Sequence, residues 1–246
     1  LLHYFTPLNI VKSNHRHKDQ RKFDISLVII HFTETKTFTD ALNLLTSKER
    51  KVSCHYLIDK SGDIFNLVDL DKRAWHAGDS MWGSYDDINS RSVGIEIVNS
   101  GEIITENYTS KQLGSLSDLL IKLLKEYNIE NILGHSDIAP IRKIDPGVHF
   151  PWQKIYKNLG LEWVKDRINN ERIKESEYFV FLRRLKEFGY PYIKIDKQYN
   201  NNQLIINAFH RKYLPKFLYK KLTLTSMNKI NDLIKNKKML TKTIQI

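Results

Sequence analysis

Residues 134–152, GHSDIAPIRKIDPGVHFPW, hold groups that could do chemistry together. His135 offers an imidazole and Asp145 a carboxylate ten positions later, in a stretch too rich in Pro and Gly for a helix, so a looping backbone can turn both inward. Zinc accepts imidazole nitrogen and carboxylate oxygen, and a catalytic zinc takes three protein ligands with a fourth place left for water. The third ligand must come from elsewhere in the chain. Lys143 lies two residues before Asp145, so in an extended segment both side chains leave on one face, which sets a cation beside the proposed metal. A cation belongs there only if it has an anion to meet.

Two strands are expected to carry the remaining groups. Residues 25–32, ISLVIIHF, form a nearly continuous β-branched run, as in a strand buried on both faces, with His31 at its end. A lone histidine there reads either as a hydrogen-bonded core residue or as a ligand; strand ends are where open sheets place ligands, and His31 supplies the missing third. In residues 92–98, SVGIEIV, alternation sends Val93, Ile95 and Ile97 one way and Glu96 the other, on the face shared with Gly94. A carboxylate inside an apolar strand is costly unless it is paired or working, and the strand by itself favours a buried ion pair. His55, in the strand 53–59, reads as a satisfied structural histidine. The loop that opens with residues 74–78, AWHAG, and runs to Asn89 contains Trp75, His76 and Trp82; aromatics there suit sugar or peptide binding, or they anchor the loop.

The elements that would position these groups follow from periodicity. Residues 37–46 read as a helix and residues 53–70 as a hairpin turning at 60–62. Thr109 with Gln112 makes a capping box for a leucine-striped helix to about Tyr127, and residues 129–133 form the strand that delivers His135. After Trp152 a polar helical linker spans 153–175. Three amphipathic helices are then expected over 178–188, 204–214 and 227–234, the last behind Thr225 as N-cap, as a small separate domain. This places the domains at 1–174, with residues 1–23 as a surface arm in which His15 and His17 are solvated, and at 175–246.

The net charge of +11 is unevenly spread: residues 1–174 carry 24 Lys and Arg against 23 Asp and Glu, whereas residues 175–246 carry 15 against 5. The basic tail faces an anionic polymer, lipid or nucleic acid, or is simply a lysine-rich solvated face. No helix-turn-helix, zinc finger or RNA-binding motif accompanies it, so nucleic acid is not expected as a partner. Apolar runs are too short for a membrane span. One cysteine, Cys54, rules out an internal disulfide, which suits the cell envelope or, alternatively, the cytoplasm. The chain begins at Leu1 without Met, so the lack of a leader carries no information, and oligomeric state is not legible.

Taken together, HFT after the first strand, SCHYLIDKSGDI, RAWHAGDS, SVGIEIV and GHSDIAPIRKIDPGVHFPW resemble the zinc-dependent N-acetylmuramoyl-L-alanine amidases of the amidase-2 family, in its AmpD and AmiD branch. The likeness spans residues 25–152. It implies an α/β fold, a mixed sheet flanked by helices as in the peptidoglycan-recognition proteins. It also implies one zinc per chain on His31, His135 and Asp145, with Glu96 and Lys143 as catalytic residues. Asp145 favours this branch, because relatives nearer the recognition proteins often have cysteine there. Trp75 and His76 fall in a loop resembling the family's substrate cleft and, with Asn89, are taken as substrate-binding. The tail, with FLRRLKEFGYP and AFHRKYLP, resembles the family's three-helix peptidoglycan-binding module.

The implied reaction is hydrolysis of the amide joining N-acetylmuramic acid, intact or 1,6-anhydro, to L-alanine in peptidoglycan or muropeptides, in wall turnover or recycling. Glu96 would take the proton of the attacking water and pass it to the leaving nitrogen, and Lys143 would balance the oxyanion. A non-catalytic muropeptide-binding protein on the same fold would usually lack a metal ligand; here all three candidates are present.

Overall fold

The computed structural model describes residues 8–9, 18–195 and 201–243; His15 and His17 lie outside them. In chain order the strands are β1 (Leu8–Asn9), β2 (Lys18–Gln20), β3 (Leu27–Phe32), β4 (Tyr56–Ile58), β5 (Ile64–Asn66), β6 (Lys72–Ala74), β7 (Ser92–Ile97) and β8 (Asn131–Gly134). The helices are α1 (Phe38–Thr46), α2 (Ile88–Arg91), α3 (Ser110–Glu126), α4 (His135–Ile138), α5 (Trp152–Asn158), α6 (Glu175–Phe188), α7 (Asn201–Tyr213) and α8 (Leu224–Thr243). Six strands form a mixed sheet in the order β1-β5-β4-β7-β3-β8, antiparallel only between β4 and β5, and β2 pairs with β6 in a separate ribbon.

The two faces of the sheet are covered by different parts of the chain. Val28 and Ile30 of β3, Val93, Ile95 and Ile97 of β7 and Ile132 of β8 pack on Leu113, Leu116, Leu119, Leu120 and Leu123 of α3. Each leucine withdrawn from water in this way contributes roughly 1.5–3 kcal/mol. The expected capping box starts α3: Gln112 N donates to Thr109 Oγ1 at 3.1 Å, and Gln112 Oε1 accepts from Thr109 N at 3.0 Å. On the opposite face Leu27, Ile29 and Leu133 share a core with Phe181, Leu182 and Leu185 of α6 and with Ile205, Ile206 and Phe209 of α7. The sequence division at 174/175 is therefore crossed by a continuous core.

Three local expectations are corrected. The stretch after Trp152 is helical only through α5; residues 161–171 have no regular secondary structure. The last helix begins at Leu224, so Thr225 is inside it and not its cap. The Thr225 hydroxyl donates instead to the Asn169 carbonyl at 2.9 Å and accepts from Asn169 N at 2.8 Å, stapling the helix to that irregular stretch. Finally, Lys143 is not in an extended segment: Arg142 N and Lys143 N both donate to the Ala139 carbonyl in a turn that follows α4.

Candidate active site

The parallel register sets His31 beside Glu96 near the C-terminal ends of β3 and β7, and β8 ends one residue before His135. Side chains alternate along a strand, so Leu27, Ile29 and His31 share a face with Ser92, Gly94 and Glu96. This is the face covered by α6 and α7. The loop carrying Asp145 is drawn back onto the start of α4, where Ser136 N donates to the Asp145 carbonyl at 2.9 Å and Tyr108 Oη donates to the Pro146 carbonyl at 2.7 Å. Gly134 allows this approach, since a Cβ there would lie 2.7 Å from Pro146 Cδ.

His31, His135 and Asp145 come together, all buried. His31 Nδ1 lies 2.8 Å from Asp145 Oδ2, His135 Nδ1 lies 3.1 Å from the same oxygen, and the two Nδ1 atoms are 3.1 Å apart. The far side of each ring decides what these atoms offer. His135 Nε2 is 3.0 Å from the Ala77 carbonyl, which only accepts, so Nε2 carries a proton and, in a ring with a single proton, the lone pair is on Nδ1. His31 Nε2 is 3.0 Å from His76 Nδ1. His76 Nε2 is in turn 3.1 Å from Ser92 Oγ, whose single hydrogen goes to the Ile88 carbonyl at 2.6 Å. Ser92 Oγ can then only accept from His76, so His76 Nδ1 is bare and accepts from His31 Nε2; the network thus assigns His31 a bare Nδ1 as well.

Burial lowers His31 to about 4, against the opposing pull of the Asp145 carboxylate, and burial followed by the neighbouring His31 holds His76 well below its usual range. Burial alone would raise the Asp145 carboxyl, but His135 and His31 outweigh it and keep the carboxyl far below the usual carboxylate range. With one proton on each ring, at Nε2, two imidazole lone pairs and one carboxylate oxygen converge. Such a trio repels itself unless a cation joins it, and two nitrogens with one oxygen make a donor set that fits zinc.

Glu96 is half-buried with its Oε2 atom enclosed and without a hydrogen-bond partner. Burial, reinforced by the Asp145 charge, pushes its carboxyl well above the ordinary range, while the Lys143 ammonium acts in the opposite sense. It makes no ion pair among the described residues, so the structural role that the strand alone favoured is absent.

Of the three residues taken as substrate-binding, Trp75 and His76 follow β6 and Asn89 lies in α2. His76 is buried against the sheet, in a space left by Gly94, where a Cβ would sit 2.4 Å from the His76 ring. Asn89 is also buried; its Oδ1 accepts from His76 N at 3.0 Å and from Ala77 N at 2.8 Å. Trp75 is half-buried, and its backbone N and carbonyl both pair with Ser53. Both ring nitrogens of His76 and the side-chain oxygen of Asn89 thus have protein partners. His55 stands outside the cluster, accepting from Gly94 N at Nδ1 at 2.9 Å with Nε2 3.1 Å from the Lys72 carbonyl. Sequence reasoning missed Ser92 and also Asp137, whose buried carboxylate accepts from Gly134 N at 2.8 Å, Tyr190 Oη at 2.7 Å and Lys212 Nζ at 3.1 Å.

The Amidase_2 family, described as N-acetylmuramoyl-L-alanine amidase, matches residues 20–148. The chain is 31% identical to the N-acetylmuramoyl-L-alanine amidase AmiD of Escherichia coli K12 over 212 residues, covering 78% of this chain and 75% of that one. It is 32% identical to the 1,6-anhydro-N-acetylmuramyl-L-alanine amidase AmpD of Haemophilus influenzae over 169 residues, 61% of this chain and 90% of that one. The solved complex of E. coli AmiD with the substrate anhydro-N-acetylmuramic acid-L-Ala-D-gamma-Glu-L-Lys superposes with a TM-score of 0.76 at 28% identity, over 86% of this chain and 89% of the other.

Proposed function

The chain belongs to the Amidase_2 family of N-acetylmuramoyl-L-alanine amidases, and on that premise we propose that it hydrolyses the amide between N-acetylmuramic acid and L-alanine in muropeptides, using a zinc ion held by His31, His135 and Asp145. The observation that carries the reading is the convergence of His31 Nδ1, His135 Nδ1 and Asp145 Oδ2 beside the enclosed, unpartnered Oε2 of Glu96. The 1,6-anhydro form of the sugar is favoured, because it is in the AmiD complex and in the name of AmpD.

Bound there, zinc would supply Lewis-acid polarisation of the scissile carbonyl and activation of water. The protein's own groups carry the rest. Glu96 takes a proton from the attacking water at Oε2, an atom with no hydrogen-bond partner among the described residues, and returns it to the leaving nitrogen. Lys143, whose charge already acts on Glu96 and His31, offsets the negative charge that grows on the carbonyl oxygen. The two outer hydrogen bonds, to His76 and to the Ala77 carbonyl, keep both imidazoles aimed at Asp145.

The exposed cations of Arg183, Lys186, Lys216, Lys220 and Lys221 support a second role for the C-terminal helices, contact with an anionic wall polymer. Salt-sensitive sedimentation of the protein with purified sacculi would support it. The amidase reading itself is tested by mass spectrometry of an anhydro-muropeptide after digestion, with and without a chelator. The expected products are the free peptide beginning with L-alanine and the peptide-free sugar, both abolished by chelation. Cleavage at any other bond, or cleavage indifferent to chelation, contradicts it.

A further inference from the structure

His76 and Ser92 have no place in the reaction itself, yet both are buried and both bond in line toward the proposed metal cluster. The hydrogen-bond series starts at a fixed point, the Ile88 carbonyl, and has only one consistent direction. Ser92 donates to Ile88, His76 Nε2 donates to Ser92, and His31 Nε2 donates to His76 Nδ1. If the Ser92 hydroxyl were missing, nothing would hold the His76 proton on Nε2. His76 could then carry it on Nδ1, facing His31 Nε2, and His31 would move its own proton to Nδ1, into the cluster. A protonated Nδ1 has no lone pair to give.

The neighbouring residue treats the second imidazole in the same way. The Ala77 carbonyl receives His135 Nε2 and is itself held by Arg142 Nη2. The backbone that delivers both partners is pinned at His76 N and Ala77 N by one atom, Asn89 Oδ1. Gly94 leaves the space in which the His76 ring lies. We propose that the pair His76–Ala77, anchored by Ser92 and Asn89, is a positioning platform that fixes the tautomers of His31 and His135 so that both Nδ1 lone pairs face Asp145. His76 and Ser92 are positioning residues, since neither reaches the cluster except through His31. The inference rests on the reading of His31, His135 and Asp145 as zinc ligands.

The test begins with the unaltered 246-residue chain, freed of zinc, in which ¹⁵N shifts of the histidine rings report which nitrogen carries the proton. His31 and His135 are expected with the proton on Nε2; either one with it on Nδ1 overturns the platform. Zinc affinity is then measured by competition with a chromophoric chelator in four proteins: wild type, Ser92→Ala, His76→Leu and His76→Asn. The expected loss is roughly ten- to hundred-fold for Ser92→Ala and His76→Leu, the range usual for partners of metal ligands. His76→Asn should recover most of it, because its side-chain oxygen can stand where Nδ1 stood and accept from His31, at a size close to leucine. Equal affinity in all four overturns the platform while leaving the ligand assignment intact. Failure of the ligand assignment looks different: wild type itself binds no stoichiometric zinc, or His135→Ala binds it as tightly as wild type.

Discussion

Lys212 Nζ, on α7, donates to Asp137 Oδ2 at 3.1 Å, and both groups are almost wholly buried, two residues along the chain from His135. The same nitrogen donates to the Ile132 carbonyl at 2.9 Å, and Tyr190 Oη holds the other Asp137 oxygen. One position earlier, Arg211 pairs with Glu102, whose Oε2 also accepts from Val148 N. The C-terminal helices thus grip the backbone on both sides of the run that supplies His135 and Asp145. Removing residues 175–246 should abolish cleavage of a small soluble muropeptide as well as of intact wall. Unimpaired cleavage of the soluble substrate by the truncated chain would show that these helices serve only in wall contact.

A single change probes the same grip. Lys212→Met removes the cation and leaves the Asp137 carboxylate buried with only neutral partners, which typically costs about 3–5 kcal/mol. Urea denaturation of the variant should show a loss of that order. A loss below about 1 kcal/mol, the range of exposed ion pairs, would mean that Asp137 reaches water.

Glu96→Gln and Lys143→Met separate chemistry from metal binding. Both should retain zinc, as neither is a proposed ligand, while turnover falls by roughly 10²-fold or more, as is usual when a proton carrier or an oxyanion partner is lost. Steady-state rates and zinc content on the same preparations decide the matter. Near-normal turnover removes that residue from the mechanism.

Stability should fall in acid for a reason that lies partly outside the site. Burial lowers His55 to about 3 and His210 to about 4, so both stay neutral in the folded protein while the unfolded chain protonates near 6.5. The unfolded state then binds more protons as pH drops below about 6.5, and the stability these residues hold at neutral pH is lost progressively toward pH 4. Each unit of pKa difference is worth about 1.4 kcal/mol. His210 Nε2, 2.9 Å from Ser226 Oγ, is the simpler one to alter. Denaturation midpoints of His210→Asn should fall less steeply between pH 7 and pH 5 than those of wild type; an unchanged slope contradicts the assignment.

Gly94→Ala would set a Cβ 2.4 Å from the His76 ring, inside van der Waals contact. The ring must move, and its hydrogen bond to His31 with it. Zinc affinity should fall with a modest loss of stability, both read in one thermal-shift titration with zinc. Wild-type affinity would mean that the ring is not held where Gly94 leaves room.

The convergence of His31, His135 and Asp145 was legible because few side chains suit a zinc ion and strand ends aim them, and Glu96 drew notice because a carboxylate in an apolar strand calls for an explanation. The contact of His76 with His31 was not read from the sequence, which placed His76 in a binding loop. The available signal was Gly94, a strand glycine on the same face as Glu96 and a sign that something lies close against the backbone. The packing of α6 and α7 on Leu27, Ile29 and Leu133 was not legible, because an apolar helix stripe says that a face is buried but not against what. Likewise Thr225 reads locally as a cap, and only its bonds to Asn169, 56 positions away, show otherwise.

The central claim is that His31, His135 and Asp145 hold one zinc on which cleavage depends. Elemental analysis of zinc per chain, on wild type and on His31→Ala, His135→Ala and Asp145→Ala dialysed side by side, tests it most directly. One zinc per wild-type chain and a small fraction of one in each variant is the predicted result; full zinc occupancy in His135→Ala would contradict it.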